Sequence, residues 1–256
     1  MLNYRSTIAL VAIMLAGISY SFYTFGISPW WGLIPFGYYF AMVGLGSYKI
    51  EMKFFIDSIC EAPNDKGLVA ITFDDGPNAE FTPKVLEIMD EYNAKATFFC
   101  IGTNVEKQPD VLKEIDKRGH AIGNHSYSHD VKFDMASVKA VKEDLLKNES
   151  LINGAIGKKT KLFRPPFGVT NPKIAKGVKQ LGLTSIGWNI RTLDTTDDSE
   201  DKIIERTKNI KAGDIVLLHD TSDKSINVLR ALLKVLNEKE LRSVTINELA
   251  KIEAYA

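Results

Sequence analysis

Cysteine and histidine are scarce in this chain of 256 residues, which holds two Cys and four His. Cys60 and Cys100 are too few for a disulfide framework, and Cys100 lies in an apolar, strand-like run that reads as core. Cysteine usage therefore does not settle the compartment. Excess charge of either sign is also missing, because 32 basic residues face 32 acidic ones. That balance argues against a nucleic-acid partner and against strong electrostatic steering. Low-complexity tracts and short-period repeats are absent. The most telling absence is local: from Ser6 to Tyr48 there is no charged residue and no His.

One helix over that stretch would run roughly 65 Å at 1.5 Å per residue, about twice a hydrocarbon core. Gly26-Ile27-Ser28-Pro29 interrupts it near the middle. The pattern predicts a hairpin of two transmembrane helices, about 7–25 and 30–48. Trp30, Trp31 and Tyr48 suit the interface. A cleaved signal peptide competes for the first stretch, but the apolar region is long and no clear small-residue cleavage site follows. The expected organisation is a membrane anchor over residues 1–53, a juxtamembrane linker over 54–66 and one globular domain over 67–256. Lys49–Ile59 reads as a surface-lying helix, and Glu61–Gly67 is rich in breakers. About 190 residues remain, enough for one well-cored domain.

Beyond the linker, short apolar runs alternate with amphipathic stretches. The strand candidates are Leu68–Phe73, Ala96–Ile101, His120–Gly123, Lys161–Arg164, Thr184–Trp188, Asp214–Leu218 and Ser243–Thr245. Helical patterns lie between and after them, including Phe81–Tyr92, Ser137–Gly154 and Ile226–Lys239. Seven β-then-α repeats predict an α/β fold whose parallel sheet is closed, or nearly closed, into a barrel.

Thr72-Phe73-Asp74-Asp75-Gly76-Pro77 ends the first strand with adjacent carboxylates. Like charges that close resist joint ionisation, so a cation or a division of labour is expected. His125 and His129 stand four apart, a spacing that can grip one ion, and His219 ends the run Val216-Leu217-Leu218. Three of the four His thus fall in two segments that can answer the acids, while His120 reads as structural. All these positions follow strands, and in barrels chemistry gathers at the strands' carboxyl ends.

With those residues in view, the chain resembles carbohydrate esterase family 4, the polysaccharide deacetylases that share the NodB homology domain. The resemblance rests on Thr72–Pro77, on His125-Ser126-Tyr127-Ser128-His129, on Arg164-Pro165-Pro166-Phe167-Gly168 and on Leu217-Leu218-His219-Asp220. It runs from about Gly67 to about Ala250 in the family's order. In the fourth motif, Trp188 to Thr195, the chain departs: Arg191 stands where an acid is common and Thr195 replaces a Trp.

The resemblance implies a distorted (β/α)7-type barrel and metal-assisted removal of an acetyl group. Asp75, His125 and His129 would hold one divalent ion, zinc first and cobalt or another as alternatives. Asp74 would be the general base, oriented by Arg164, and His219 the acid for the leaving amine, supported by Asp194. The Phe167 N–H would face the oxyanion, and Trp188 and Leu217 would form an acetyl-methyl pocket. The implied partners are an acetylated polysaccharide such as peptidoglycan or a chitin-like or surface glycan, and the lipid bilayer. Localisation would be a bacterial inner membrane, multi-pass. Alternatives are an O-acetyl esterase, or a membrane-anchored glycan-binding domain with decayed chemistry. A two-metal phosphoesterase would want a second cluster that the sequence does not offer. Arg5, Lys49 and Lys53, offset by Glu51, favour both chain ends inside, whereas the resemblance suggests a glycan outside. The side stays open.

Overall fold

The computed structural model describes residues 3–256. Two helices come first, α1 (Tyr4–Phe25) and α2 (Leu33–Tyr48), joined through a 3-10 turn at Pro29–Gly32. The remaining elements, in chain order, are β1 (Leu68–Asp74), α3 (Phe81–Glu91), β2 (Ala96–Cys100), α4 (Gly102–Lys107), α5 (Pro109–Lys117), β3 (Ala121–Asn124) and α6 (Val138–Ile156). They continue with β4 (Leu162–Phe163), α7 (Pro172–Gln180), β5 (Thr184–Ser185), β6 (Ile190–Arg191), α8 (Glu200–Glu205), β7 (Ile215–His219), α9 (Asp223–Glu238), β8 (Arg242–Ser243) and α10 (Ile246–Ala250).

The strands form one parallel sheet in the order β5-β4-β3-β2-β1-β7-β6, with β8 paired to the start of β1. β1 is central and buried along its whole length, as a strand covered on both faces must be. Its alternation decides which side chains meet. Val69, Ile71 and Phe73 join the cluster packed under the outer helices, whereas Leu68 and Ala70 face inward with Phe99, Trp188 and Leu217. Thr72 and Asp74 share the inward parity. Register sets Asp74 beside Phe99 of β2 and His219 of β7.

Three expectations are corrected. The barrel does not close: β5 and β6 are its two edges, and the chain passes between them through Ile186–Trp188. The fold is a curled, parallel half-barrel. The run Thr184–Trp188 is a strand only to Ser185, because Ile186 bridges Ile59 from the N-terminal segment and Asn189 turns to β7. Lys49–Ile59 is not a helix on the bilayer surface. Helical structure stops after Ile50–Met52, where Lys53 takes φ 52°, and Ile50, Phe54 and Cys60 are buried. Phe54 packs where Gly46 leaves room, and Ile50 and Cys60 lie against Gly187. Ser58 hydrogen-bonds Ser185 at 2.7 Å, so the segment read as a linker packs onto the barrel.

The expected hairpin of two transmembrane helices is supported for one helix only. α1, with 22 residues, is long and apolar enough to cross a membrane. α2 has 16 residues, short of the ~20 that a span needs. The multi-pass expectation is therefore not supported by helix length.

Candidate metal and acid-base site

The site is built on the carboxyl rim of the sheet, where β1 ends in two acids. Asp74 continues the strand and points inward. Asp75 adopts φ 72°, which breaks the alternation and keeps its carboxylate on the same rim. Its carbonyl accepts a hydrogen bond from Asn104 Nδ2 at 2.8 Å, pinning the turn.

Asp75, His125 and His129 offer ligand atoms that all lie within 4.8 Å of one another. Asp75 Oδ1 is 3.6 Å from His125 Nε2 and 3.3 Å from His129 Nε2. Two observations show that this donor set fits a divalent cation. Asp75 Oδ1 is buried without a hydrogen-bond partner among the described residues, an arrangement that costs free energy unless a cation or donor meets it. His125 Nδ1 lies 2.8 Å from the Arg164 carbonyl oxygen. A carbonyl can only accept, so Nδ1 carries the proton and the Nε2 lone pair is left toward Asp75. Burial, aided by the neighbouring His129 and opposed by Asp75, lowers His125 to about 3, so its ring is neutral at ordinary pH. The loop is held from α6: Asp144 accepts from the Tyr127 and Ser128 N–H groups, and Asn148 Nδ2 donates to the Ser126 carbonyl.

Asp74 lies between this cluster and a buried cation. Arg164 Nη1 donates to Asp74 Oδ1 at 2.8 Å and to Thr72 Oγ1 at 2.7 Å, and Nη2 donates to the Gly187 carbonyl at 2.8 Å. The guanidinium is fully buried and lies 4.1 Å from the Phe99 ring centroid. One charge-assisted bond from this fork orients Asp74. Asp74 Oδ2 sits 3.8 Å from His125 Nε2.

Across the rim, Asp194 clasps His219. Its Oδ1 is 2.9 Å from His219 Nδ1, and its Oδ2 accepts from the His219 N–H and from Ser225 Oγ, both at 2.8 Å. Thr192 Oγ1 adds a bond to Oδ1 at 3.1 Å. Burial opposes charge on the imidazole, but the hydrogen bond and charge of Asp194, with Asp74 and Asp75 beyond, outweigh it and push His219 up to about 9. Burial likewise opposes the Asp194 carboxylate, and its bonds from His219 and Ser225 hold it below the usual range. His219 Nε2 faces Asp75 Oδ2 at 3.9 Å.

Phe167 takes φ 55° in the turn after Arg164, its ring 4.5 Å from that of His129. No acceptor for its N–H is found among the described residues. Trp188 and Leu217 are buried in the inner cluster, and Gly168 lies flat against the indole, where a Cβ would approach to 2.4 Å. Arg191, in the divergent motif, is exposed, with its guanidinium 5.7 Å from the Trp188 ring centroid. All ten residues singled out in the sequence therefore gather on one rim, while His120 is buried apart from them, accepting from the Ala96 N–H.

Sequence reasoning passed over Thr72, Asn148, Thr192 and Ser225, and gave Asp220 no role. Asn148 had a signal: it interrupts the apolar stripe Val141, Leu145, Ile152 of α6, where a polar residue needs a reason. Thr72 shares the strand face of Asp74. Asp220 is fully buried against Gly76, accepts from Thr82 Oγ1, and is pushed up to about 7 by burial.

Comparison with known proteins agrees with this arrangement. Residues 61–186 match the family model described as "Polysaccharide deacetylase". A peptidoglycan-N-acetylglucosamine deacetylase of Bacillus cereus is 36% identical over 197 residues, 75% of this chain and 92% of that relative. The crystal structure of a peptidoglycan N-acetylglucosamine deacetylase in complex with 4-naphthalen-1-yl-N-oxidanyl-benzamide superposes with TM-score 0.73 at 32% identity, covering 77% of this chain and 94% of that one. A Bacillus anthracis protein described as a CE4 family pseudoenzyme superposes with TM-score 0.70 at 28% identity, covering 76% and 69%.

Proposed function

The chain belongs to the polysaccharide deacetylase family, and we propose that it is a membrane-held, metal-dependent hydrolase removing acetyl groups from an N-acetylated glycan, with peptidoglycan N-acetylglucosamine as first substrate. The observation that carries the reading is the opposition of two unlike half-sites, Asp75–His125–His129 and Asp194–His219, across Asp74. The similarity to a pseudoenzyme makes membership alone insufficient, so the argument rests on these side chains being present and convergent.

Asp75, His125 and His129 would hold the cation, and their imidazole and carboxylate donors suit zinc. Bound there, it supplies Lewis-acid polarisation of the acetyl carbonyl and lowers the pKa of water. The chain's own groups carry the protons. Asp74, oriented by Arg164, takes a proton from the attacking water as the oxygen–carbon bond forms. The free Phe167 N–H donates to the oxygen that gains charge. His219 gives its proton to the amine nitrogen as the carbon–nitrogen bond breaks, because an amide anion is too poor a leaving group to depart unaided. Trp188 and Leu217 receive the methyl group.

The ester alternative shares the same site logic, and the altered fourth motif shifts some weight toward it because an ester leaving group needs less help from His219. The Asp194–His219 pair offsets that shift, since the acid has its support although Arg191 and Thr195 differ from the family. The charge-free stretch enters the bilayer as the anchor through α1, with α2 packed beside it. Peptidoglycan as substrate puts the barrel on the outer face of a bacterial cell membrane.

Acetate release from N-acetylglucosamine oligomers and peptidoglycan by the full-length chain in detergent is the test. Activity that is lost on chelation and restored by zinc is expected. Full turnover in a metal-free sample overturns the assignment.

A further inference from the structure

The hairpin leaves the barrel beside its catalytic rim. Thr170, two residues past Gly168, donates its N–H to the Ser47 carbonyl at 3.0 Å and its hydroxyl to that of Gly46 at 3.3 Å, both in the last turn of α2. The first turn of α1 is tied to the same region, with the Tyr4 N–H donating to the Phe54 carbonyl at 3.0 Å. From this junction the rim runs through Phe167 and His129 to the 3-10 segment Val131–Met135. That segment is fastened to the start of α7 by Asn171 Nδ2 on the Asp134 carbonyl at 2.7 Å and Lys173 Nζ on the Met135 carbonyl at 3.3 Å.

Two properties of this face are independent of each other. The first is apolar exposure. Of the four large apolar side chains exposed beyond residue 48, three lie here: Val131 at 68%, Met135 at 83% and Phe167 at 45%. One exposed apolar residue means little, but a cluster marks a contact surface. The second is charge. α7 presents Lys173, Lys176 and Lys179 at helical spacing, all exposed, and carries no acid. A cleft of about 960 Å³ between α7 and the foot of the hairpin is lined by Lys176, Lys179, Arg5 and Lys53. Asp57 is the one acid lining it and pairs with Lys53 at 3.2 Å. Among the described residues, Arg5, Lys176 and Lys179 have no carboxylate partner.

We propose that this face docks on an anionic bilayer, with lipid phosphates in the cleft between α7 and the hairpin and with Val131 and Met135 entering the interface. The proposal rests on the anchor reading above, since the junction with α1 and α2 puts the lysines where the hairpin emerges. Basic side chains beside an emerging helix are drawn to anionic headgroups, each weighing about fivefold in the docked-to-free ratio. Apolar neighbours add burial that salt does not screen. The consequence for function is reach: the catalytic rim is held at the membrane surface and works on glycan lying there, not on strands farther out.

The test places an environment-sensitive fluorophore on Met135→Cys of the full chain, Cys60 and Cys100 being buried. A control carries it on Glu238→Cys, at the far end of α9. The protein is reconstituted in vesicles of phosphatidylcholine with or without phosphatidylglycerol, with headgroup-nitroxide lipid as quencher. Strong quenching at 135 in the anionic vesicles, weaker quenching in the neutral ones and none at 238 are expected. Lys176→Glu with Lys179→Glu should lower the docked-to-free ratio about 25-fold or more, while turnover of a soluble chito-oligomer stays unchanged and shows the fold intact. An inserted, alkali-resistant chain whose 135 probe is unquenched overturns the docking alone. A chain washed off the vesicles by alkali overturns the anchor reading and the docking together. Neither outcome touches the deacetylase assignment, which the soluble substrate reads separately.

Discussion

The two half-sites that face each other across Asp74 are finished to different degrees. Around Asp194 both carboxylate oxygens are engaged: His219 and Ser225 donate to them, and the pair is closed. Around Asp75, a carboxylate oxygen is buried with no donor among the described residues, and two imidazole nitrogens converge on it. A saturated ion pair holds a proton at a set place, whereas acceptors that converge without a donor are arranged for a cation. The fold thus supports opposite chemistry at two ends of one cleft, and Asp74 with Arg164 stands between.

Removing a ligand breaks the unsaturated half and should have the largest effect. Asp75→Ala or His125→Ala should lose both the bound metal, read by elemental analysis, and measurable turnover. Next comes Asp74→Asn, which should keep the metal and lower kcat by about 10²–10⁴-fold, the range of a general base. If Asp74→Asn strips the metal while Asp75→Ala retains it, the two roles are exchanged.

On the saturated half the expected losses are smaller and depend on pH. His219 serves as an acid, so activity falls as pH rises through its pKa, which Asp194 helps push up to about 9. A cation at Asp75 offsets part of that carboxylate's contribution and sets the limb below this value. Asp194→Asn leaves burial, which lowers the imidazole pKa, with less to oppose it. The alkaline limb should therefore move to lower pH, with turnover of an N-acetyl substrate depressed and that of an activated aryl ester much less so. Equal losses on both substrates would mean that Asp194 supports the fold, not the acid step. Smallest of all, Ser225→Ala removes one bond, about 1 kcal/mol, that helps hold Asp194 ionised; the carboxylate then grips the imidazolium proton more tightly, so the same limb should shift slightly upward without a change in metal content. An unmoved limb would show Ser225 to be a helix-start residue only.

The two halves were also unequally legible. Asp75, His125 and His129 could be grouped from sequence because two sit four apart and the third ends a strand. Asp194 was named only as the best support for His219, since Arg191 and Thr195 made its motif irregular. Its bond crosses from the loop after β6 to the end of β7, a contact that no local spacing encodes. The alternation of strands and helices was readable because buried parallel strands are apolar runs. Failure to close was not, because closure depends on the gap between β5 and β6 and on the Ile59 segment that borders it. Lys49–Ile59 was misread for a related reason: its apolar residues suit a bilayer surface and a barrel wall equally.

By itself the sequence determined what local order can carry: the charge-free N-terminal stretch, the succession of strands and helices, and the acids and imidazoles at strand ends. These follow from period, propensity and hydrophobicity, which act within a few residues. Only the tertiary structure decided the rest, because it depends on which distant surfaces meet. Register brought Asp74 beside His219, the Arg164 carbonyl chose the tautomer of His125, and Thr170 joined the foot of the hairpin to the catalytic rim. Each joins residues far apart in the chain, and the packing of the whole barrel holds them at bonding distance.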